Sequence, residues 1–219
     1  TAPNQSYLSP PNPYCKGGSA CCIDQPGPEG RRVIRVGTST IRLLERVART
    51  NEGGIRPFAG WASTTRPEVI IETGSAKGGS ALFFASIFDL IGEGRVVTID
   101  VDDLASRNLS HPRIMTIVGD SVSDDVISQV RQRVGNQTAM VSLDSDHSKD
   151  HVLREMELYS EFVCPGHYLV VEDTGLRGPG PGRAVKEFLR HRKDFVLDRT
   201  REKFLLTTCR GGFLKRIRD

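Results

Sequence analysis

An α/β domain, doubly wound around a mostly parallel sheet of seven strands, is the fold class that this chain predicts. Two patterns point to it. Short apolar runs of strand length alternate with longer segments whose apolar residues recur at helical spacing. Such alternation builds a parallel sheet covered by helices on both faces, a Rossmann-like architecture.

The periodic pattern begins at Val33. Ile41, Leu43, Leu44, Val47 and Ala48 mark a helix that Gly53 and Gly54 end. EVIIET (68–73) is a strand with a turn after it. Residues 81–91 read as a helix closed by Gly92 and Gly94. RVVTID (95–100) and RIMTIVGD (113–120) are strands, 122–134 a helix, and AMVSLD (139–144) a strand. Residues 150–163 form an amphipathic helix through Val152, Leu153, Met156, Leu158 and Phe162. HYLVVEDT (167–174) is a strand and 183–192 a helix. FVLDRT (195–200) and KFLLTTCRGGFLKRI (203–217) supply the late strands.

Residues 1–32 stand apart as an arm before the domain at 33–219. The first thirty carry six prolines, five of them in SPPNPY and DQPGPEG, and cannot form a regular element. An ordered arm of that composition needs another surface to lie on, which predicts a homo-oligomer. Cys15, Cys21 and Cys22 fall in this arm. With Cys164 and Cys209 they make an odd set without a paired framework or metal-ligand spacing, so free thiols are expected.

Composition excludes several classes. The net charge of +3 is mixed along the chain, with no basic stripe or aromatic platform for nucleic acid. No apolar run approaches the ~20 residues that span a bilayer. The first residues lack a charged stretch followed by an apolar one, so a cytoplasmic location is expected. Trp61 reads as a packing anchor, Arg66 and Lys77 as solvated, and His151, His167 and His191 as structural.

A parallel sheet of this kind binds ligands beyond the carboxyl ends of its strands. Every predicted strand from the first to the fifth ends in polar or acidic groups: Glu72 to Ser80, Asp100, Asp120 with Ser121, Asp144 to His147, and Glu172 with Asp173. In the first turn, Gly74, Gly78 and Gly79 allow close backbone approach. The spacing is neither G-x-G-x-x-G nor a phosphate loop. Glu72 disfavours a pyrophosphate and favours a cationic amine. Asp100, after the second strand, suits two ribose hydroxyls. An amine plus a ribose without a phosphate site describes S-adenosylmethionine.

The blocks VIIETGSAKGGSALFFASIFDLIGEGRVVTIDVD, LDSDHSKDHVLREMELYSEFVCPGHYLVVEDT, GPGPGRAVKEFL and REKFLLT resemble the cephalosporin hydroxylase-like family over roughly residues 33–217. Despite that name, its members resemble class I S-adenosylmethionine-dependent methyltransferases of natural-product pathways. The site layout is also similar to catechol and magnesium-dependent macrolide-sugar O-methyltransferases. The resemblance implies a class I methyltransferase fold. It also implies that Glu72, Gly74, Ser75 and Ser80 hold the methionine part of the cofactor, Asp100 the ribose, and Asp120 with Ser121 the adenine.

The same resemblance implies Mg²⁺ on Asp144, Glu172 and Asp173, with Asp146 as the alternative to Asp144. His147 follows Asp144 by three residues and is the candidate base, since its ordinary pKa lies near neutrality. Lys149 is the rival. GLRGPGPGR (175–183) reads as a mobile lid or substrate wall. The expected function is Mg²⁺-dependent methylation of a hydroxyl on a small sugar or other natural product. The alternatives are a non-methylating enzyme or hydroxylase partner of the same fold in antibiotic biosynthesis, and a cofactor-binding partner subunit without catalysis.

Overall fold

The structure, a computed structural model, describes residues 65–175, 180–202 and 209–218. The expected arm, the helix at 41–48, Trp61 and Cys15, Cys21 and Cys22 lie outside the described residues. So do 176–179 of the expected lid and 203–208 of the last expected strand.

The described elements alternate as expected. Strand β1 (Val69–Thr73) leads to α1 (Gly79–Ile91), then β2 (Arg95–Asp100), α2 (Leu104–Asn108) and β3 (Ile114–Val118). The chain continues through α3 (Asp124–Val134), β4 (Ala139–Leu143), α4 (Lys149–Tyr159), β5 (Tyr168–Val171), α5 (Gly180–His191), β6 (Phe195–Leu197) and β7 (Phe213–Arg216). The seven strands lie in the order β3-β2-β1-β4-β5-β7-β6. Strands β1 to β5 pair in parallel, while β7 runs antiparallel to both β5 and β6. The sheet is therefore mostly parallel and doubly wound, with its order reversing between β1 and β4.

Alternate residues of each strand enter opposite layers. Val69, Ile71, Val97, Ile99, Val141, Leu169 and Val171 pack with α3, α4 and α5 on one face. Ile70, Val96, Met140, Tyr168 and Val170 belong to the other layer, with Phe84 and Phe88 of α1. All five residues of β1 and of β4 are buried, which is why the apolar residues of these segments run on without alternation. Strand β3 sits at the sheet edge and leaves Met115 and Val118 exposed.

Local chemistry sets the helix ends. Ser123 accepts the Val126 N–H at the start of α3, whose first turn holds Asp124 and Asp125 and whose last turn holds Arg131 and Arg133. This matches the helix dipole at both ends. Gly92, at φ 92°, closes α1 by donating its N–H to the Phe88 carbonyl.

The structure differs from the sequence reading in several places, among them β6, which stops at Leu197 before a 3₁₀ turn at Arg199–Arg201. Short α2 was not expected. Helix α4 ends at Tyr159 and continues as a 3₁₀ turn, Ser160–Phe162. Helix α5 begins at Gly180, not Arg183, so Gly180 to Arg183 are helix rather than lid. Proline is tolerated in a first helical turn because its missing N–H would have no partner there.

Leu169 is fully buried in β5, whereas Val118 is 49% exposed. Leu169→Ala should cost about 2–5 kcal/mol in urea unfolding and Val118→Ala less than about 1 kcal/mol. Similar losses at both positions would contradict this assignment of core and edge.

Candidate active site

Strand register delivers the site residues. Thr73 stands beside Leu143 and Ile99, and Leu143 beside Val171, so β1, β2, β4 and β5 end level. The main chain continues these ladders one step further. Gly74 N–H donates to Ile99 O, Asp144 N–H to Thr73 O, and Glu172 N–H to Leu143 O. The ends of β1 and β4 touch. A Cβ on Gly74, at φ 85°, would stand 1.9 Å from the Asp144 carbonyl oxygen, so only glycine fits.

On the β1–β2 side, Glu72 is buried. It accepts a hydrogen bond from Thr98 Oγ1 at 2.6 Å, and Ser80 is a second hydroxyl partner. Ser75, expected at the cofactor, is buried and bonds Thr98 Oγ1 at 2.5 Å. Burial pushes the Glu72 carboxyl up to about 7, and the charges of Asp144 and Asp100 add to this. Asp100 accepts the Ala76 N–H at 2.7 Å and the Asp102 N–H at 2.9 Å, which fixes its carboxylate at the mouth of the first turn.

On the β3–α4 side, Asp120 is exposed and accepts the Val122 N–H. Ser121 is buried. Its Oγ donates to Glu155 Oε1 at 2.6 Å and lies 3.1 Å from His151 Nε2. Ser145 Oγ donates to the same Glu155 oxygen at 2.6 Å. His151, read from the sequence as structural, lies beside a fully buried carboxylate that the sequence reading overlooked. Glu155 shares the inward stripe of α4 with Val152, Met156 and Tyr159, and a glutamate on such a stripe was the available signal. Thr98, a polar residue inside an apolar strand, was the corresponding signal in β2.

On the β4–β5 side, ligand atoms of Asp144, His147 and Asp173 all lie within 4.8 Å of one another. His147 Nε2 is 3.0 Å from Asp173 Oδ2 and 3.7 Å from Asp144 Oδ1. Asp173 has φ 54°, a left-handed conformation that aspartate tolerates at some cost in strain. Glu172 and Asp146, both expected near a metal, fall outside this grouping. Cys209 Sγ donates to Glu172 Oε2 at 2.5 Å. Asp146 accepts the Ser148 N–H at 2.6 Å, and hydrogen bonding from Ser148 holds its carboxyl below the usual range. Lys149 Nζ pairs with Glu187 at 2.7 Å, and this partner holds the ammonium above its usual range.

Desolvation, then the charge of Asp173, raises the Asp144 carboxyl to about 6. Burial raises Glu172 to about 7, the Cys209 thiol opposes this, and Asp144, Asp173 and Glu72 push it further. The donor set is oxygen-rich with one imidazole, and its acids repel one another. Both properties fit a hard divalent cation. A buried acid at the first turn beside a fixed Asp100 fits a cationic, ribose-bearing ligand.

Residues 58–217 match the family model Rhamnosyl O-methyltransferase/CmcI. The chain belongs to this family. It is 36% identical over 170 residues to a rhamnosyl O-methyltransferase of Mycobacterium tuberculosis, covering 70% of this chain and 69% of that one. The rhamnosyl O-methyltransferase of Mycobacterium leprae is 36% identical over 167 residues, covering 68% and 72%. By this membership the chain is an O-methyltransferase. Among solved structures, cmcI-D160 Mg-SAM superposes with TM-score 0.60 at 20% identity, covering 77% of this chain and 72% of that chain. The O-methyltransferase TomG of Streptomyces achromogenes, in complex with SAM, gives TM-score 0.54 at 19% identity, covering 75% and 81%. These likenesses show the class I methyltransferase fold. Among the described residues, no helix is long and apolar enough to cross a membrane.

The raised carboxyl values have a definite sign. The folded, cation-free protein holds protons on Glu72, Asp144 and Glu172 that the unfolded chain has released. Its stability therefore falls as pH rises from about 4 to about 7. Divalent cation binding should expel protons from Asp144 and Glu172 and tighten over that range. Calorimetry in buffers of different ionisation enthalpy should record proton release near pH 6, and millimolar Mg²⁺ should flatten the fall in melting temperature. Proton uptake on cation addition would contradict the charge assignment.

Proposed function

We propose that this protein transfers a methyl group from S-adenosylmethionine to a hydroxyl of a sugar or other small natural product, in a Mg²⁺-dependent reaction. The observation that carries this reading is the meeting of Asp144, His147 and Asp173 at the ends of β4 and β5, beside Glu72 and Asp100 at the ends of β1 and β2. The family's rhamnosyl O-methyltransferases act on a sugar by name, which supports a glycosidic acceptor.

In this reading Asp144 and Asp173 hold the cation, with Glu172 or Asp146 completing the set. Glu72 faces the amine of the cofactor, Ser80 lies near the carboxylate, and Asp100 binds the ribose. Asp120 lines the adenine end, where Ser121 fixes the wall through Glu155. When bound, Mg²⁺ supplies positive charge that orients and acidifies an acceptor hydroxyl, and the sulfonium supplies the methyl group. His147 accepts the hydroxyl proton, and Asp173 steadies its imidazole. In-line displacement then needs only that the oxygen be held about 3 Å from the methyl carbon. The single imidazole with two carboxylates differs from the two-histidine, one-carboxylate set of non-haem iron oxygenases. No observation favours the hydroxylase alternative.

S-adenosylhomocysteine should bind at about micromolar affinity, ~7–8 kcal/mol. Asp100→Ala should weaken it by about 1–3 kcal/mol, read by titration calorimetry. Binding of a nicotinamide dinucleotide instead would overturn the cofactor.

Chelation should abolish methyl transfer with little effect on cofactor affinity, and Asp173→Asn should weaken Mg²⁺ binding. His147→Ala should keep the cation and lower the rate by roughly 10²–10⁴. The loss should shrink at alkaline pH as the acceptor ionises unaided. Chelator-resistant turnover would refute the metal, and a wild-type rate in His147→Ala would refute the base.

A further inference from the structure

Lys149 and helix α5 meet the site through contacts that neither cation binding nor proton transfer requires. The first turn of α5 lies directly on the β4–α4 loop. A Cβ built on Gly180 would stand 1.7 Å from the His147 carbonyl oxygen and 3.7 Å from the Lys149 amide nitrogen. A Cβ on Gly182 would stand 3.1 Å from the Thr174 carbonyl oxygen. This turn therefore touches both the residue that carries the imidazole and the residue that follows Asp173. The 3.0 Å separation of His147 Nε2 and Asp173 Oδ2 links the same two loops.

A second fastening lies further along the helix. Glu187 is seven residues beyond Gly180, about two turns, and so lies on the same face. Its Oε2 meets Lys149 Nζ at 2.7 Å. Helix α5 thus grips residues 147–149 twice, once by backbone contact and once by an ion pair. The pair is partly open to water, with side chains 34% and 37% exposed. Exposed pairs add little to folding. Geometry at the active site is more sensitive, because a misplacement of about 1 Å can cost about 10²-fold in rate.

We propose that the Lys149–Glu187 pair is a positioning device that seats the first turn of α5 against the His147 backbone and thereby sets the imidazole against Asp173. The proposal deepens the reading of His147 as the base and rests on it. Lys149 acts through His147 and does not touch the acceptor.

The test uses ring ¹⁵N and N–H signals of His147 in the metal-free full chain at slightly alkaline pH, assigned with His147→Gln. This needs no acceptor, so its outcome is separable from the presence or absence of methyl transfer. Wild type and Lys149→Arg, which keeps the pair, should share one His147 signature, with a ring N–H visible because it is held from exchange. Lys149→Met and Glu187→Gln should both move the signature toward that of an imidazole in water. The double variant should add nothing further. The melting temperatures of all these variants should stay within about 4 °C of wild type, as suits a pair that adds little to stability. An unchanged His147 signature in Lys149→Met and Glu187→Gln would overturn the proposal. So would a Lys149→Arg variant that behaves as Lys149→Met does.

Discussion

Parallel pairing of β1, β2, β4 and β5 is the constraint on which the site depends. In parallel register the strands all finish on one side of the sheet, and Thr73, Ile99, Leu143 and Val171 stand level. The next residues must then share one small region. Asp100, Asp144 and Glu172, with Glu72 one residue before Thr73, are thereby brought close. The hydrophobic layers that hold the strands in register also concentrate the negative charge. Burial raises Glu72 and Glu172 to about 7, and desolvation together with the charge of Asp173 raises Asp144 to about 6.

Concentrated acids of this kind are a standing cost to the ligand-free fold. A cation at β4–β5 and an amine at β1–β2 would each restore the ionised form of neighbouring carboxylates. The two halves are also joined through the core. Glu155 accepts from Ser121 after β3 and from Ser145 after β4 with one oxygen, which ties these two loops to α4. Its other oxygen is buried without a partner among the described residues.

Close backbone contact does for the loops what register does for the strands. Gly74 meets the Asp144 carbonyl, Gly180 that of His147, and a Cβ on Gly212 would stand 2.1 Å from that of Val171. At each place a side chain would push apart two segments that carry acids or the imidazole. Glycines that look like flexible punctuation in the chain therefore serve as points of contact, and the Gly180–Gly182 stretch belongs to a helix.

Apart from short α2 and the 3₁₀ turns, the order, type and approximate span of the described elements followed from the chain alone, because fully buried strands and amphipathic helices leave periodic marks. So did the identity of the strand-end acids, since a strand's last residues are local in sequence. Side-chain direction and choice of partner were decided only in three dimensions. Glu172 and Asp173 are adjacent, yet the first meets Cys209 and the second His147. Nothing within residues 167–174 foretells Cys209, 37 residues away in sequence. Lys149 was the rival base to His147 on the resemblance of its H-x-K-D context to catechol-type methyltransferases. Its pairing with Glu187 exists only because α5 returns across α4. Short-range pattern is written in the sequence, whereas the partners of a polar group depend on which distant segments the core brings alongside it.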